Sequence, residues 1–247
     1  MLPVWVDRSG ENSFLADANM VTFHAQGDEI HRRALDQGGD RCNWFALNVD
    51  HLYPRVEARR PSSADPGLGP FGLRHGPSTR ETYLRQSILV DHLQKESEPD
   101  ALAVEEAVLD IADEVFQAAY RRTPGSRSTP NTRKRHAQLA AELKGWLSEH
   151  YAEPATLEDL ADAVSSSPFH VHRVFRAQTG FTLHEYRNQL RLRTGLTAIL
   201  EGEENLTALA LRLGFASHSH FTDTFRKSFG VPPSKVRGDA WLRMGRR

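Results

Sequence analysis

Gly214-Phe-Ala-Ser-His-Ser-His-Phe-Thr-Asp-Thr-Phe-Arg-Lys-Ser-Phe-Gly-Val-Pro-Pro-Ser-Lys-Val-Arg237 governs the interpretation of this chain. Phe221 and Phe225 are one helical turn apart and mark an inward face, which leaves His218, Ser219, Thr222, Asp223 and Arg226 pointing outward. Gly230 stands where such a helix would stop in a left-handed residue. The preceding Leu206-Thr-Ala-Leu-Ala-Leu-Arg-Leu213 is apolar at helical steps, so the two segments read as helix, short turn, helix. The same pattern occurs nearer the amino end, in Leu157-Glu-Asp-Leu-Ala-Asp-Ala-Val164, a Ser-rich turn, Ser167-Pro-Phe-His-Val-His-Arg-Val-Phe175 and Thr179-Gly180-Phe181. Ala161 aligns with Ala210, Phe175 with Phe225 and Gly180 with Gly230, and the second copy has one extra residue in its turn.

Local chemistry supports these boundaries. Thr156, with Asp159 three residues on, has the spacing of a capping box, and Ser167-Pro168 joins a hydroxyl cap to a proline at the first helical position. In the first copy Val171, Val174 and Phe175 form the predicted inner stripe, leaving Phe169, His172, Arg173 and Arg176 outside. A helix-turn-helix lays its second helix in the major groove of DNA. The planar fork of Arg173 suits guanine O6 and N7, Phe169 suits a thymine methyl, and His172 can donate or accept. Asp223 either accepts from cytosine N4 or orients a neighbouring arginine.

The segment from Gly214 to Arg237, with Leu183-His-Glu-Tyr-Arg-Asn-Gln-Leu-Arg-Leu-Arg193 as the start of a linking helix, resembles the AraC/XylS family of bacterial transcription regulators. The resemblance implies an all-α carboxy-terminal domain in which a long helix joins two helix-turn-helix units. It implies base contacts from Phe169, His172 and Arg173 in the first unit and from His218, Ser219, Thr222 and Asp223 in the second. Arg176, Arg187, Arg191, Arg226 and Lys227 would approach phosphates. The recognition helices would enter successive major-groove segments about 34 Å apart. Gly195 departs from a good helix former inside the linking helix and marks either close packing or flexibility.

Outward from this region, Arg121-Arg-Thr-Pro-Gly-Ser-Arg-Ser-Thr-Pro-Asn-Thr-Arg-Lys-Arg135 lacks apolar periodicity and reads as an exposed linker. The expected organisation is a sensing and dimerisation domain over 1–120, a linker over 121–132 and a DNA-binding domain over 133–247. Its helix-turn-helix units are placed at 156–180 and 205–231. Charge segregates with this division: residues 1–130 hold 14 Lys+Arg against 20 Asp+Glu, and 131–247 hold 17 against 12, or −6 and +5. A basic half beside an acidic one suits a polyanionic partner, although arginines are often only a solvated face.

The amino-terminal half offers apolar runs at Met20-Val-Thr-Phe23 and Trp44-Phe-Ala-Leu-Asn-Val49 between turn signals, read as strands, then a Pro- and Gly-rich loop from Arg55 to Ser78. Helices are predicted near 80–95 and 100–120. The fold class is therefore α+β overall. The amino-terminal domain would be small, β-rich and cupin-like, either truncated or completed by later loop residues, and followed by two helices. Those helices would form a dimer interface or pack on their own barrel.

A single cysteine, Cys42, excludes internal disulfides and paired-cysteine zinc sites. It also cannot serve both as the methyl acceptor and in the four-cysteine zinc site of DNA-repair methyltransferases that share this helix-turn-helix. Cys42 reads as a small buried hydrophobe, with a redox sensor as the alternative. His24, His31, His51 and His75 match no ligand spacing, Gly38-Gly39-Asp40 reads as a hairpin turn, and no phosphate loop or nucleophile elbow is present. The expectation is a cytoplasmic transcription regulator, not an enzyme, with no cofactor, no metal and no membrane segment. Its partners would be double-stranded promoter DNA, a second copy in a homodimer, RNA polymerase and an effector of unknown identity. The alternative is a constitutive DNA binder whose amino-terminal half only oligomerises.

Overall fold

Side chains alternate between the more buried and the more exposed face along the first and fourth amino-terminal strands. The computed structural model describes residues 3–8, 13–35, 42–58, 60, 70–121 and 130–236. Strand β1 (Val4–Arg8) pairs antiparallel with β2 (Phe14–Ala16) and β4 (Ile30–Ala34) in the order β2-β1-β4; β3 (Met20–Thr22) pairs with β5 (His75–Pro77). Val4, Val6 and Ala16 face inward. Among the described residues these two small sheets do not close into a barrel. Among the described residues this half also contains the helices α1 (Val49–Glu57), α2 (Arg80–Lys95) and α3 (Ala101–Arg121). Phe23, Val56, Leu89, Ile111, Val115 and Phe116 form their shared core, with Phe23 stacked on Phe116 at 5.0 Å.

Three features of this half differ from the sequence expectation. Residues 42–48 form no strand, and Val49 starts a helix instead; a short apolar run fits either element until a neighbouring strand edge is available to pair with it. Cys42 is exposed rather than buried, because this unpaired stretch carries it outside both sheets. The loop expected from Arg55 to Ser78 contains the end of α1 and all of β5. Its residues 61–69, like the Gly38-Gly39-Asp40 turn, lie outside the described residues.

The carboxy-terminal half is helical: α4 (Pro130–Glu149), α5 (Leu157–Ala163), α6 (Pro168–Thr179), α7 (Leu183–Leu200), α8 (Leu206–Arg212) and α9 (His218–Phe229), then a 3-10 turn at Pro233–Lys235. Helix α4 begins within the stretch read as linker, of which 122–129 lie outside the described residues. The capping box at Thr156 and Asp159 forms as its spacing predicts. A second box starts α7: the Thr182 hydroxyl accepts from Glu185 N–H at 3.1 Å, and Glu185 Oε2 accepts from Thr182 N–H at 2.8 Å. The Thr182 N–H, and then its hydroxyl, which also donates to Glu185 Oε2 at 3.0 Å, hold the Glu185 carboxyl below its ordinary range. Thr182→Ala should therefore cost about 1 kcal/mol, read by thermal unfolding near pH 7. The carboxylate's share of that stabilisation exists above the unfolded-state pKa and disappears as pH falls through the lower folded-state value.

Two cores organise this half. Leu143, Leu147, Leu160, Val171, Phe175, Tyr186 and Leu190 pack the first unit. Leu196, Ile199, Leu209, Phe221, Phe225 and Phe229 pack the second, and Ala18 and Tyr83 of the amino-terminal half are buried in that same cluster. The two halves thus share apolar core.

Candidate nucleic-acid interface

Helices α6 and α9 are built alike. Each has 12 residues. Ser167 Oγ accepts from His170 N–H at 3.3 Å and Ser217 Oγ from His220 N–H at 3.1 Å. Gly180 and Gly230 end the helices at φ 75° and 76°, each donating its N–H to the carbonyl four residues back. Val171, Val174 and Phe175 are buried under α6, and Phe221, Phe225 and Phe229 under α9, as the apolar spacing predicts.

The outer faces are open. Phe169 is 77% exposed, a large apolar ring held in water beside exposed Arg173 and half-buried His172. Arg173 Nη2 lies 3.5 Å from His170 Nδ1, and Arg176 is exposed one turn on. On α9, His218, Ser219 and Asp223 are exposed and Thr222 is half-buried, with its hydroxyl 3.4 Å from His218 Nε2. Asp223 pairs with Arg226 at 3.6 Å, the orienting arrangement that the sequence leaves open, and Lys227 is exposed.

Arg191 and Arg187 are placed differently from the phosphate contacts that the family resemblance implies. Arg191 is 8% exposed and donates to the carbonyls of Tyr151, Ala152 and Glu153. Burial lowers its pKa, and the neighbouring charge of Arg187 adds to that. Arg187 donates to the carbonyls of Glu153 and Ala155. Both therefore staple the loop between α4 and α5 to α7, because that loop has carbonyls outside any helix that need donors.

This staple also packs against the second unit. Gly214, in the turn between α8 and α9, has φ +78°, and a Cβ there would overlap the Ala152 carbonyl oxygen and come within 2.7 Å of Arg191 Nη2. Loop, linking helix and second-unit turn meet at this point. Gly195 also marks close packing: its Cβ would lie 2.9 Å from Leu213 Cδ1 and 3.2 Å from the Phe221 ring.

The linking helix also grips the amino-terminal half, through residues that the sequence does not single out. Arg193, 2% exposed, donates to the carbonyls of Ala18 and Ser78 and to Gln189 Oε1, and its guanidinium lies 4.4 Å from the Tyr83 ring centroid. Burial pulls its pKa down to about 10, which Tyr83 and Asp17 partly oppose, so it stays charged at neutral pH. Tyr186 donates its hydroxyl to Asp17, whose carboxylate also lies 3.9 Å from Lys144.

A cavity of about 880 Å³ opens in the amino-terminal half among Phe23, Trp44, Phe71, Val108, Phe116 and Tyr83. Asp17 and Ala18 also line it, so the turn held by α7 is part of its wall. Among the described residues, no helix is long and apolar enough to cross a membrane.

Residues 160–239 match a family described as a helix-turn-helix domain. The HTH-type transcriptional activator RhaS of Citrobacter koseri is 36% identical over 96 residues, covering 39% of this chain and 34% of that protein. RhaS of Pectobacterium carotovorum is 30% identical over 162 residues, covering 65% of this chain and 55% of that protein. The chain thus spans between about a third and about half of the length of these curated relatives. A crystal structure of a transcriptional regulator with an AraC-type DNA-binding domain, from Chromobacterium violaceum, is 25% identical over 40% of this chain and 89% of that one, with a TM-score of 0.39. The sequence matches, and the paired capped helices on one linking helix, make the carboxy-terminal half of this chain a helix-turn-helix domain similar to that of HTH-type transcriptional activators.

Proposed function

We propose that the chain is a sequence-specific DNA-binding transcription regulator of the cytoplasm, which reads promoter DNA with α6 and α9 and works as a homodimer that recruits RNA polymerase. The observation that carries this reading is the pair of 12-residue helices, each capped by a serine and ended by a left-handed glycine, with open outer faces. Phe169, His172 and Arg173 read one major-groove segment, and His218, Ser219, Thr222 and Asp223 read the next. Arg176, Arg226 and Lys227 hold phosphates. The domain division follows: residues 1–120 sense and dimerise, and 133–247 bind DNA.

The apolar, aromatic-walled cavity favours effector control over an amino-terminal half that only oligomerises, since its size is that of a small-molecule site. Occupancy would be transmitted through the Asp17–Ala18 turn to Tyr186 and Arg193.

A sequence-selection binding experiment on the full chain at fixed salt tests the core of this reading. A two-part motif is expected, and failure to enrich any motif overturns it. Arg173→Ala should lose about 1–3 kcal/mol on the selected site and relax preference at one base pair; uniform weakening on all sequences would make Arg173 a phosphate contact instead.

A further inference from the structure

Helix α4 brings a run of cations to the groove-entering end of α6. His136 meets His170 edge to face, with ring centroids 5.7 Å apart. His170 lies in the first turn of α6, next to Phe169 and the Ser167 cap. Arg133 is three residues before His136 and so shares that side of α4, one helical step further toward its start. Lys134 and Arg135 lie between them, and all three cations are exposed. Burial, and then the charges of His170, Arg173 and Arg135, disfavour protonation of His136, which places the two helices' basic groups in one electrostatic neighbourhood.

Three features distinguish this run from an ordinary solvated face. First, no acidic residue occurs in α4 before Glu142, and among the described residues none of the three cations makes an ion pair. Second, the cations sit near the positive end of the helix macrodipole, where positive side chains are unfavourable unless an anion offsets them. Third, charge elsewhere on α4 is mixed, with Glu142, Lys144 and Glu149, so the uncompensated stretch is confined to the end beside α6.

We propose that Arg133, Lys134 and Arg135 form a third DNA contact, which grips the sugar–phosphate backbone flanking the segment read by α6. This rests on the DNA-binding reading above. The ligand is phosphate on a duplex, so the contact contributes affinity and register but no base preference. It extends the footprint on the α6 side only.

The test measures affinity of the full chain for its selected site across a salt series. The triple substitution Arg133→Gln, Lys134→Gln, Arg135→Gln should lower the slope of log K against log[salt] by about 2 to 3 and weaken binding about 10- to 100-fold at low salt, equally on all sequences. The hydroxyl-radical footprint should shorten on one flank. The charge-keeping variant Arg133→Lys, Arg135→Lys should retain the wild-type slope, which separates phosphate contact from altered folding. An unchanged slope and footprint in the triple variant would overturn the proposal. Normal DNA binding with lost transcription would also overturn it and assign the run to a protein partner. If the wild-type chain bound no DNA at salt low enough for non-specific binding, the underlying reading would itself fail.

Discussion

Gly214→Ala should be the most damaging single-methyl change in the carboxy-terminal half, destabilising it by about 3 kcal/mol or more. Two costs combine. An L side chain at φ +78° is strained, and the added carbon overlaps a backbone carbonyl, which cannot swing aside as a side-chain tip can. Displacing Ala152 also disturbs the bonds from Arg191 to that loop, so the contact between the two units is weakened along with stability. Gly230→Ala supplies the control: it shares the positive φ at +76°, but a Cβ there meets nothing within 4 Å. It should therefore show only the backbone strain, about 1 kcal/mol. Thermal unfolding of the three proteins checks the order. On a chain of this size the Gly214 variant should melt roughly 6–12 °C lower. Equal effects at the two positions would mean that the loop yields freely. In the proposed DNA-binding mode both helices enter the groove together, so site-specific DNA affinity should fall in the Gly214 variant even below its melting range.

Arg193→Met should separate the two halves while leaving the reader folded. The guanidinium satisfies buried carbonyls at Ala18 and Ser78 that a thioether cannot, and leaving such groups unpaired costs about 3 kcal/mol or more in total. Because both reading faces are open while the halves are docked, the variant should keep its affinity for the selected site within a few fold. Limited proteolysis should cut it faster between the halves than the wild type. If the cavity holds an effector coupled through this clamp, the variant should still bind it but lose the change in DNA affinity that accompanies binding, since coupling between sites requires the shared element. Wild-type proteolysis and an intact response would show that Tyr186 and Asp17 suffice to hold the interface.

Local rules make the reading helices legible in the amino-acid sequence. Ser167, Pro168 and Gly180 mark the ends of α6 by backbone chemistry alone, and Val171, Val174 and Phe175 set its buried face by spacing. The internal repeat then transfers that assignment to α9. Less is legible upstream. Trp44 to Val49 has the composition of a strand, yet strand formation depends on a partner edge that no local pattern announces.

The arginines of α7 mark the limit of local rules. Arg187, Arg191 and Arg193 are alike in type, and the family resemblance implies phosphate for Arg187 and Arg191. Their different roles follow from what packs against each: the α4–α5 loop on Arg187 and Arg191, the amino-terminal turn on Arg193. Caps and periodicity act within a few residues along the chain, so the order of amino acids is enough to define both helix-turn-helix units and their outward side chains. Which charges are buried, and which half each one holds, depends on long-range packing, because the carbonyls that need those donors lie up to 175 residues away in sequence.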